Sequence, residues 1–557
     1  MSSILMPSTT ITLAAAVPSV KPADPLYNVS RLIESARKAE AQHAAITLFP
    51  AGCITGATCG DLIFQPSLLQ AAGEATAQFI EATHEWSGTF VISTPLIEGQ
   101  DARWLTLAIS KGWVVARAMN GEPLTLLDDI VLMPSATPEI AGHYFRFRQQ
   151  LTAQSEHEHK AIVWCNCGFG ESTTDHVYGG GALIMADGQQ LAEAERFAFG
   201  EQLITASVDL EALCRAQALS PTPFLPTDQP LDAYFEEVLD IQTNALATRL
   251  THINGRKAIL GISGGLDSTL ALLVAVRTFD KLGYDRKGIY GITMPGFGTS
   301  GRTYHNALAL MEHLDITMQE ISIREACLQH FSDIGVDATC HDVTYENAQA
   351  RERTQILMDL ANKENAIVIG TGDLSELALG WCTYNGDHMS MYGVNGSIPK
   401  TLMQHIVRHM ATTCGDDIIR SVLLDIVDTP ISPELVPSAQ LTSDGASAVI
   451  AQKTEDVVGP YELHDFFLYH FFCHHASPRR IFIMARAVFG GEGGRYTDEE
   501  LKHWLRTFFK RFFGQQFKRS CMPDGPQVTE VSLSPRGAWS MPSDVASTLW
   551  LKECDEL

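Results

Sequence analysis

Positive charge is scarce in this sequence: 40 Lys and Arg stand against 65 Asp and Glu, a formal net charge of -25 over 557 residues. A surface that acidic repels nucleic acid and anionic membranes, so neither is an expected partner. It still leaves room for a local basic pocket that takes a phosphorylated small molecule. No run approaches the ~20 consecutive apolar residues that a membrane span needs. The opening stretch MSSILMPSTTITLAAAVPSVKPADP lacks a basic region before its apolar part and soon turns to Pro and Asp. It reads as a first strand, not a signal peptide. The 12 Cys are scattered, with no Cys-x-x-Cys pairs, which suits free thiols in a reducing cytoplasm better than a disulfide framework. Internal repeats are also absent. What remains is an ordinary globular balance, 45% hydrophobic and 19% charged, in a chain long enough for more than one domain.

Residues 1–220 alternate strands and helices. TITLAAAV and AAITLFPAG have strand character, and YNVSRLIESARKAEAQH between them is an amphipathic helix. TFVISTPLIEG, LTLAISKGWVV and GGALIMADGQQLAEAERF add sheet strands with turns. Pro221, Pro223, Pro226 and Pro230 then crowd residues 221–230, the composition of a linker. Alternation restarts at Lys257, with GIYGITMPG, TMQEISI and NAIVIGTGD as strands, so residues 231–557 are expected to form a doubly wound parallel sheet with a helical, aromatic C-terminal extension. The fold class expected for the whole chain is α/β.

KAILGISGGLDSTLALLVAVRTF, Lys257 to Phe279, places small polar residues between a buried strand and an apolar helix. Backbone N–H groups converge in such a turn, and the helix dipole adds positive character, so the turn binds anions. Gly264 and Gly265 allow close approach of a phosphate, and Ser263, Ser268 and Thr269 add hydroxyl donors. The Lys of a Walker loop is missing. Asp267 stands there instead, and a carboxylate beside a phosphate calls for an intervening cation, Mg²⁺. Read by itself, Asp-Ser-Thr is equally the start of any capped helix.

SGGLDST resembles the pyrophosphate loop of the N-type ATP pyrophosphatase superfamily. The resemblance implies ATP cleaved to AMP and pyrophosphate through an adenylated substrate. Members that thiolate tRNA are disfavoured by the acidic surface and the absent Cys-x-x-Cys pairs. HDVTYENAQARERTQILMDLANKE, AIVIGTGDLSELALGWCTYNGDHMSMYGVNGSIPKTL, QQFKRSCMPDGP and SLSPRGAW together resemble NAD synthetase. That family implies ATP-dependent amidation of deamido-NAD, with ATP as co-substrate. By the resemblance, Gly261, Ile262, Ser263, Gly264, Gly265, Leu266, Asp267, Ser268, Thr371 and Lys400 line ATP. Asn347, Glu376, Trp381, Cys382, Thr383, Tyr384 and Lys518 line deamido-NAD. Their chemistry agrees. Thr371 and Glu376 follow a strand at its carboxyl end, where open α/β sheets bind ligands. Glu376 is a second Mg²⁺ carboxylate beside Asp267, and Lys400, in a loop after Pro399, faces the ATP phosphates. Asp267, Glu376 and Lys400 are thus the expected catalytic set. Asn347 offers amide groups to a nicotinate carboxylate or ribose, Trp381 and Tyr384 offer stacking faces, and Lys518 a cation for a substrate phosphate.

Residues 1–220 resemble the nitrilase-like glutaminase domain fused to such synthetases, on AAAVPSVKPADPLYN, LFPAGCITGATCGDL, IVLMPSATP and GFGESTTDHVYGGGALI. The family's Glu-Lys-Cys triad is missing. Ala51 follows Phe49-Pro50 where the glutamate belongs; Arg117, Ala118 and Met119 stand where the lysine belongs; and Asp128 and Asp129 lead directly into IVLMPS, with no Cys between Cys59 and Cys165. Cys53, Cys59, Cys165 and Cys167 lack an evident activating neighbour. Cys165-x-Cys167 and the His470, His474 pair are no metal site by spacing. The expectation is an inactive glutaminase-like domain, ammonia as nitrogen source, and a homo-oligomer of at least two chains. The alternative is a glutamine-dependent enzyme with a relocated glutaminase or a separate glutaminase partner, and a non-catalytic scaffold is the reading from outside the enzymes, disfavoured by the intact synthetase motifs.

Overall fold

Strand β1, Thr10–Val17, alternates Leu13, Ala15 and Val17 to one face and Ala14 and Ala16 to the other, all buried. A strand buried on both faces needs cover on both sides, and that requirement sets the layers of the first unit. The computed structural model describes residues 10–98, 101–119, 124–127, 129–216, 219–297, 301–337, 339, 342–429, 458–491 and 493–557. Residues 1–9 of the opening stretch lie outside them, as does Asp128. The chain divides into two compact units, Met1–Leu219 and Ser220–Leu557.

In the first unit β1 joins β2 (Ile46–Leu48), β3 (Thr89–Glu98), β4 (Asp101–Ser110), β5 (Trp113–Met119) and β11 (Gln202–Asp209) in a sheet of order β11-β1-β2-β3-β4-β5. A second sheet runs β10-β9-β8-β7-β6, from β6 (Leu124–Leu127), β7 (Ile130–Ser135), β8 (Ala161–Asn166), β9 (Ala182–Ala186) and β10 (Gln189–Glu193). Leu13, Val17, Leu48 and Val91 pack on Leu132, Val163, Cys165 and Ile184, so the two sheets meet face to face. Helices α1 (Pro25–Ala41) and α2 (Pro66–Ala82) bury Val29, Leu32, Ala75 and Phe79 on the outer face of the first sheet. Helix α3 (His143–Glu158) packs Leu151 against Ile162, Trp164 and Met185 on the outer face of the second. The result is a four-layer α/β sandwich. A short helix, α4 (Leu210–Ala216), follows β11.

The second unit opens with helix α5, Leu231–His252. Its sheet has the order β14-β13-β12-β15-β16, all parallel: β12 (Ala258–Gly261), β13 (Ile289–Thr293), β14 (Thr317–Glu320), β15 (Ile367–Gly370) and β16 (Tyr392–Gly393). Helices α6 (Leu266–Leu282), α7 (Gly301–His313), α8 (Arg324–Ile334) and α9 (Val343–Glu364) make the crossovers. The chain leaves β12 toward β13 on one side and returns to β15 on the other. That reversal opens a crevice above the carboxyl ends of β12 and β15, where sheets of this kind bind ligands. Helices α10 (Leu374–Leu379), α11 (Lys400–Thr413) and α12 (Asp417–Val427) follow, then α13 (Tyr461–Cys473), α14 (Pro478–Phe489), α15 (Asp498–Gly514), α16 (Gln516–Arg519) and α17 (Thr548–Asp555). Phe467 and Phe471 of α13 meet Phe508 and Phe512 of α15 in an aromatic core. Among the described residues, no helix is long and apolar enough to cross a membrane.

Two histidines lie inside this core. His464 contacts Val458 O through Nε2 at 2.6 Å, and burial pushes it down to about 4; burial pushes His470 down to about 3. The unfolded chain takes up these protons near pH 6.5, and the folded chain does not. Stability from the two neutral rings is therefore present above about pH 6.5 and lost as pH falls toward 4. Thermal unfolding followed from pH 7 to 4 should show this loss, with a shallower slope in His464→Phe/His470→Phe; an unchanged slope would exclude the two rings as its source.

Candidate active site

Strand β12 ends at Gly261, and Ile262 N–H extends its ladder by donating to Ile292 O at 2.8 Å. The chain then turns through Ser263, Gly264 and Gly265 into α6. Gly264 has φ +84°, and a Cβ there would lie 2.0 Å from the Thr303 carbonyl oxygen, so only glycine fits. Ser263 Oγ accepts from Gly265 N–H at 3.1 Å. Ser268 and Thr269 donate back to Gly265 O at 3.2 and 2.8 Å, so their hydroxyls shape the loop instead of facing a ligand as donors. Gly265 caps α6 with backbone alone, which leaves the first-turn N–H groups of Leu266, Asp267 and Ser268 without a side-chain cap.

Across the crevice, β15 ends at Gly370 and the chain runs through Thr371 and Gly372 into α10. One buried amide ties the two loops: Asn395 Nδ2 donates to Asp267 O at 3.0 Å and to Thr371 O at 3.2 Å, while its Oδ1 accepts from Gln242. Asp373 is the N-cap of α10, accepting Glu376 N–H at 2.8 Å. Lys400 is not in a loop as expected. It is the first residue of α11, with its N–H on Ser375 Oγ at 2.8 Å and its side chain almost fully buried. Asp465 of α13 accepts from the hydroxyls of Ser375 (2.5 Å) and Thr401 (2.7 Å) and from Thr401 N–H, which clamps the residues on both sides of that ammonium.

The Lys400 ammonium lies 2.6 Å from Asp267, 2.5 Å from Asp373 and 3.0 Å from Glu376. Oxygens of the three carboxylates lie within 4.8 Å of one another. Like charges at that spacing repel by about 3–4 kcal/mol per pair at an effective dielectric near 20. Burial and the neighbouring Glu376 charge hold Asp373 well above the usual carboxylate range, and burial raises Glu376 to about 7. Burial disfavours charge on Lys400, but the three carboxylates outweigh it and hold its ammonium well above the ordinary value. Side-chain accessibility rises from 0% at Asp373 to 19% at Glu376 and 25% at Asp267, so the cluster is most open on the side of α6 and the Ser263–Gly265 turn. Asp373 Oδ2 makes its ion pair without the alignment of a hydrogen bond. An incompletely satisfied, fully buried carboxylate oxygen in a cluster with surplus negative charge fits a hard divalent cation, held by Asp267, Asp373 and Glu376.

The remaining expected residues gather at the far end of α10. Asn347 of α9 accepts from Thr383 Oγ1 at 2.8 Å. Tyr384 is partly exposed and stacks on His388. Trp381 carries the Arg511 guanidinium 5.2 Å from its ring centre. Burial pushes the Cys382 thiol up. Lys518, expected to face a phosphate, instead donates to the carbonyls of Gly380 and Cys382 at 2.7 and 2.6 Å. Arg519, fully buried, donates to Leu377 O and Ala378 O, and Arg511 to Leu379 O. Three cations from one C-terminal segment thus hold the carbonyl end of α10 and the loop after it.

The sequence profile of the NAD synthase family matches residues 238–482. A glutamine-dependent NAD(+) synthetase of Mycobacterium bovis is 31% identical, with 96% of each chain covered. The chain belongs to the NAD synthetase family. The corresponding protein of Mycobacterium leprae is 38% identical over 71% of this chain and 66% of its own length. An amidase of the nitrilase superfamily from Nesterenkonia AN1 is similar in structure to 36% of this chain and 90% of its own, with 17% identity and a TM-score of 0.32. The first unit's two facing sheets, each covered by helices, have the α/β sandwich architecture expected from the sequence.

Both of these synthetases are named glutamine-dependent, which does not match the expectation of ammonia. The M. bovis alignment runs over 658 positions, more than this chain's 557 residues, so gaps open in this chain. Ala51 follows β2 and its N–H donates to Ser135 O. Cys167 donates its thiol to Ala51 O at 3.1 Å. Burial pushes Cys53 up to about 12 and Cys165 and Cys167 well above the ordinary thiol; Cys59 is raised as well. Glu171 accepts from Ala57 N–H, Thr58 N–H and the Thr58 hydroxyl, so this carboxylate is a structural anchor.

Gly264→Ala should weaken binding of an ATP analogue by at least ~10-fold, because both its φ and its contact with Thr303 O force the loop to shift. Calorimetric titration checks this; unchanged affinity would mean the loop does not hold the nucleotide.

Proposed function

We propose that the second unit converts deamido-NAD to NAD with ATP, releasing AMP and pyrophosphate. The observation that carries this reading is the Asp267, Asp373, Glu376 and Lys400 cluster beside the open N–H groups of α6, at the reversal point of the sheet. The loop from Gly261 to Ser268 and Thr371 takes the ATP phosphates on backbone N–H groups. Asn347 and Trp381 to Tyr384 take the nicotinate end of deamido-NAD, and Lys518 fixes the backbone of that loop. A nicotinate carboxylate is a poor electrophile, because its charge is delocalised. Its oxygen displaces pyrophosphate from the α-phosphate, giving an acyl adenylate. Ammonia adds to the acyl carbon, loses a proton, and expels AMP. Mg²⁺, held by Asp267, Asp373 and Glu376, would supply charge stabilisation for the departing pyrophosphate.

The nitrogen donor has two readings, each with its own support. The relatives' names favour glutamine, hydrolysed at a relocated site or by a separate glutaminase. Ala51, the missing Lys and the buried, high-pKa thiols favour free ammonia and a first unit that keeps its fold without chemistry. A homo-oligomer and a cytoplasmic location belong to this proposal on the strength of the sequence.

The purified chain, given deamido-NAD, ATP, Mg²⁺ and ammonium, should yield NAD, AMP and pyrophosphate in equal amounts; ADP and phosphate instead would overturn adenylation. Ammonia-free glutamine as sole donor decides the second question. Glutamate released in step with NAD, and abolished by replacing Cys53, Cys59, Cys165 or Cys167, would establish a relocated glutaminase; no NAD would leave ammonia. Asp267→Ala should lower turnover by at least ~10²-fold with the melting temperature preserved, because the site loses charge where pyrophosphate departs.

A further inference from the structure

The Lys400 ammonium stands where the three carboxylates converge, at 2.5 to 3.0 Å from an oxygen of each. We propose that this ammonium is the resident cation of the carboxylate triad, and that a divalent cation enters only when the nucleotide draws the ammonium out. The inference rests on the NAD synthetase reading and fixes the order in which its ligands bind.

Three features support it. The carboxylate oxygens are within 4.8 Å of one another, so an ammonium in contact with all three and a metal ion bonded to the same oxygens compete for one space. The backbone of Lys400 cannot retreat, because its N–H is held by Ser375 and the next residue by Asp465, so exchange requires the side chain alone to swing. Leaving three carboxylates is unfavourable for an ammonium unless other anions receive it. The nearest provision for anions is the uncapped first turn of α6, which carries Asp267 itself. A triphosphate seated there offers the ammonium new partners at the moment the carboxylates accept the metal. Divalent cation and nucleotide then bind with strong positive coupling, and neither the cation alone nor the empty loop disturbs the closed cluster.

The test uses the full chain without nucleotide and Mn²⁺ as the probe, with free Mn²⁺ counted by electron paramagnetic resonance. Wild type should bind Mn²⁺ weakly, with a millimolar Kd. Lys400→Met should bind it at least ~10-fold more tightly, because the competing ammonium is gone. Adding Glu376→Gln to that variant should remove the gain, which locates the ion. A melting temperature that rises with Mn²⁺ in Lys400→Met and not in wild type gives a second readout. If Lys400→Met does not fold, the wild type still decides: micromolar Mn²⁺ binding lost in Asp267→Asn would overturn the proposal. So would a folded Lys400→Met no tighter than wild type. These outcomes stand apart from the proposed reaction, which fails on its products.

Discussion

The contact between one buried ammonium and three carboxylates governs the second unit. Taking a lysine out of water is costly, and so is crowding acids, yet each makes the other tolerable. The surrounding architecture meets the demands of that cluster. Asp373 reaches it by capping α10, Asp267 by opening α6, and Lys400 by opening α11, so three helix starts converge on one point. Helix N-termini favour nearby negative charge, which makes this a consistent place to gather acids.

The far end of α10 shows the complementary solution. Arg511, Lys518 and Arg519 donate to five carbonyls between Leu377 and Cys382. Burial pushes Arg519 down to about 9, with carbonyls and Gln516 as its hydrogen-bond partners. Acids gather at one end of a short helix and bases at the other. The helix thereby links the carboxylate cluster to the loop of Trp381 and Tyr384 in a fixed spacing.

The strand, turn and helix from Ala258 to Leu282 were legible in the sequence because their signal is local: a buried strand, two glycines, a hydroxyl and an apolar helix lie in one run. Glu376 and Lys400 were recognised as chemical groups, and by resemblance, but their partnership was not. Asp373 caps α10, and a cap's second oxygen leaves no trace in sequence. Lys400 was expected in a loop after Pro399, and only tertiary structure brings Asp267 to it from 133 positions away. Ser375, Thr401 and Asp465 form a network whose members each look unremarkable alone. In the first unit, TITLAAAV was legible as a strand, its burial on both faces only in the structure, and the missing triad was plain because it is a matter of residue identity. The pairing of Cys167 with Ala51 was not, since their contact spans two sheets.

Asn395 has one further consequence. A single side-chain amide holds carbonyls from both loops at the crevice, Asp267 O and Thr371 O, and is itself held by Gln242. Neither loop can open without releasing a polar group into a dry interior, unless the other moves with it. The two walls of the crevice therefore behave as one mechanical piece. Motion enters instead through side chains, and the backbone around the cluster serves as a rigid frame against which a single lysine can turn.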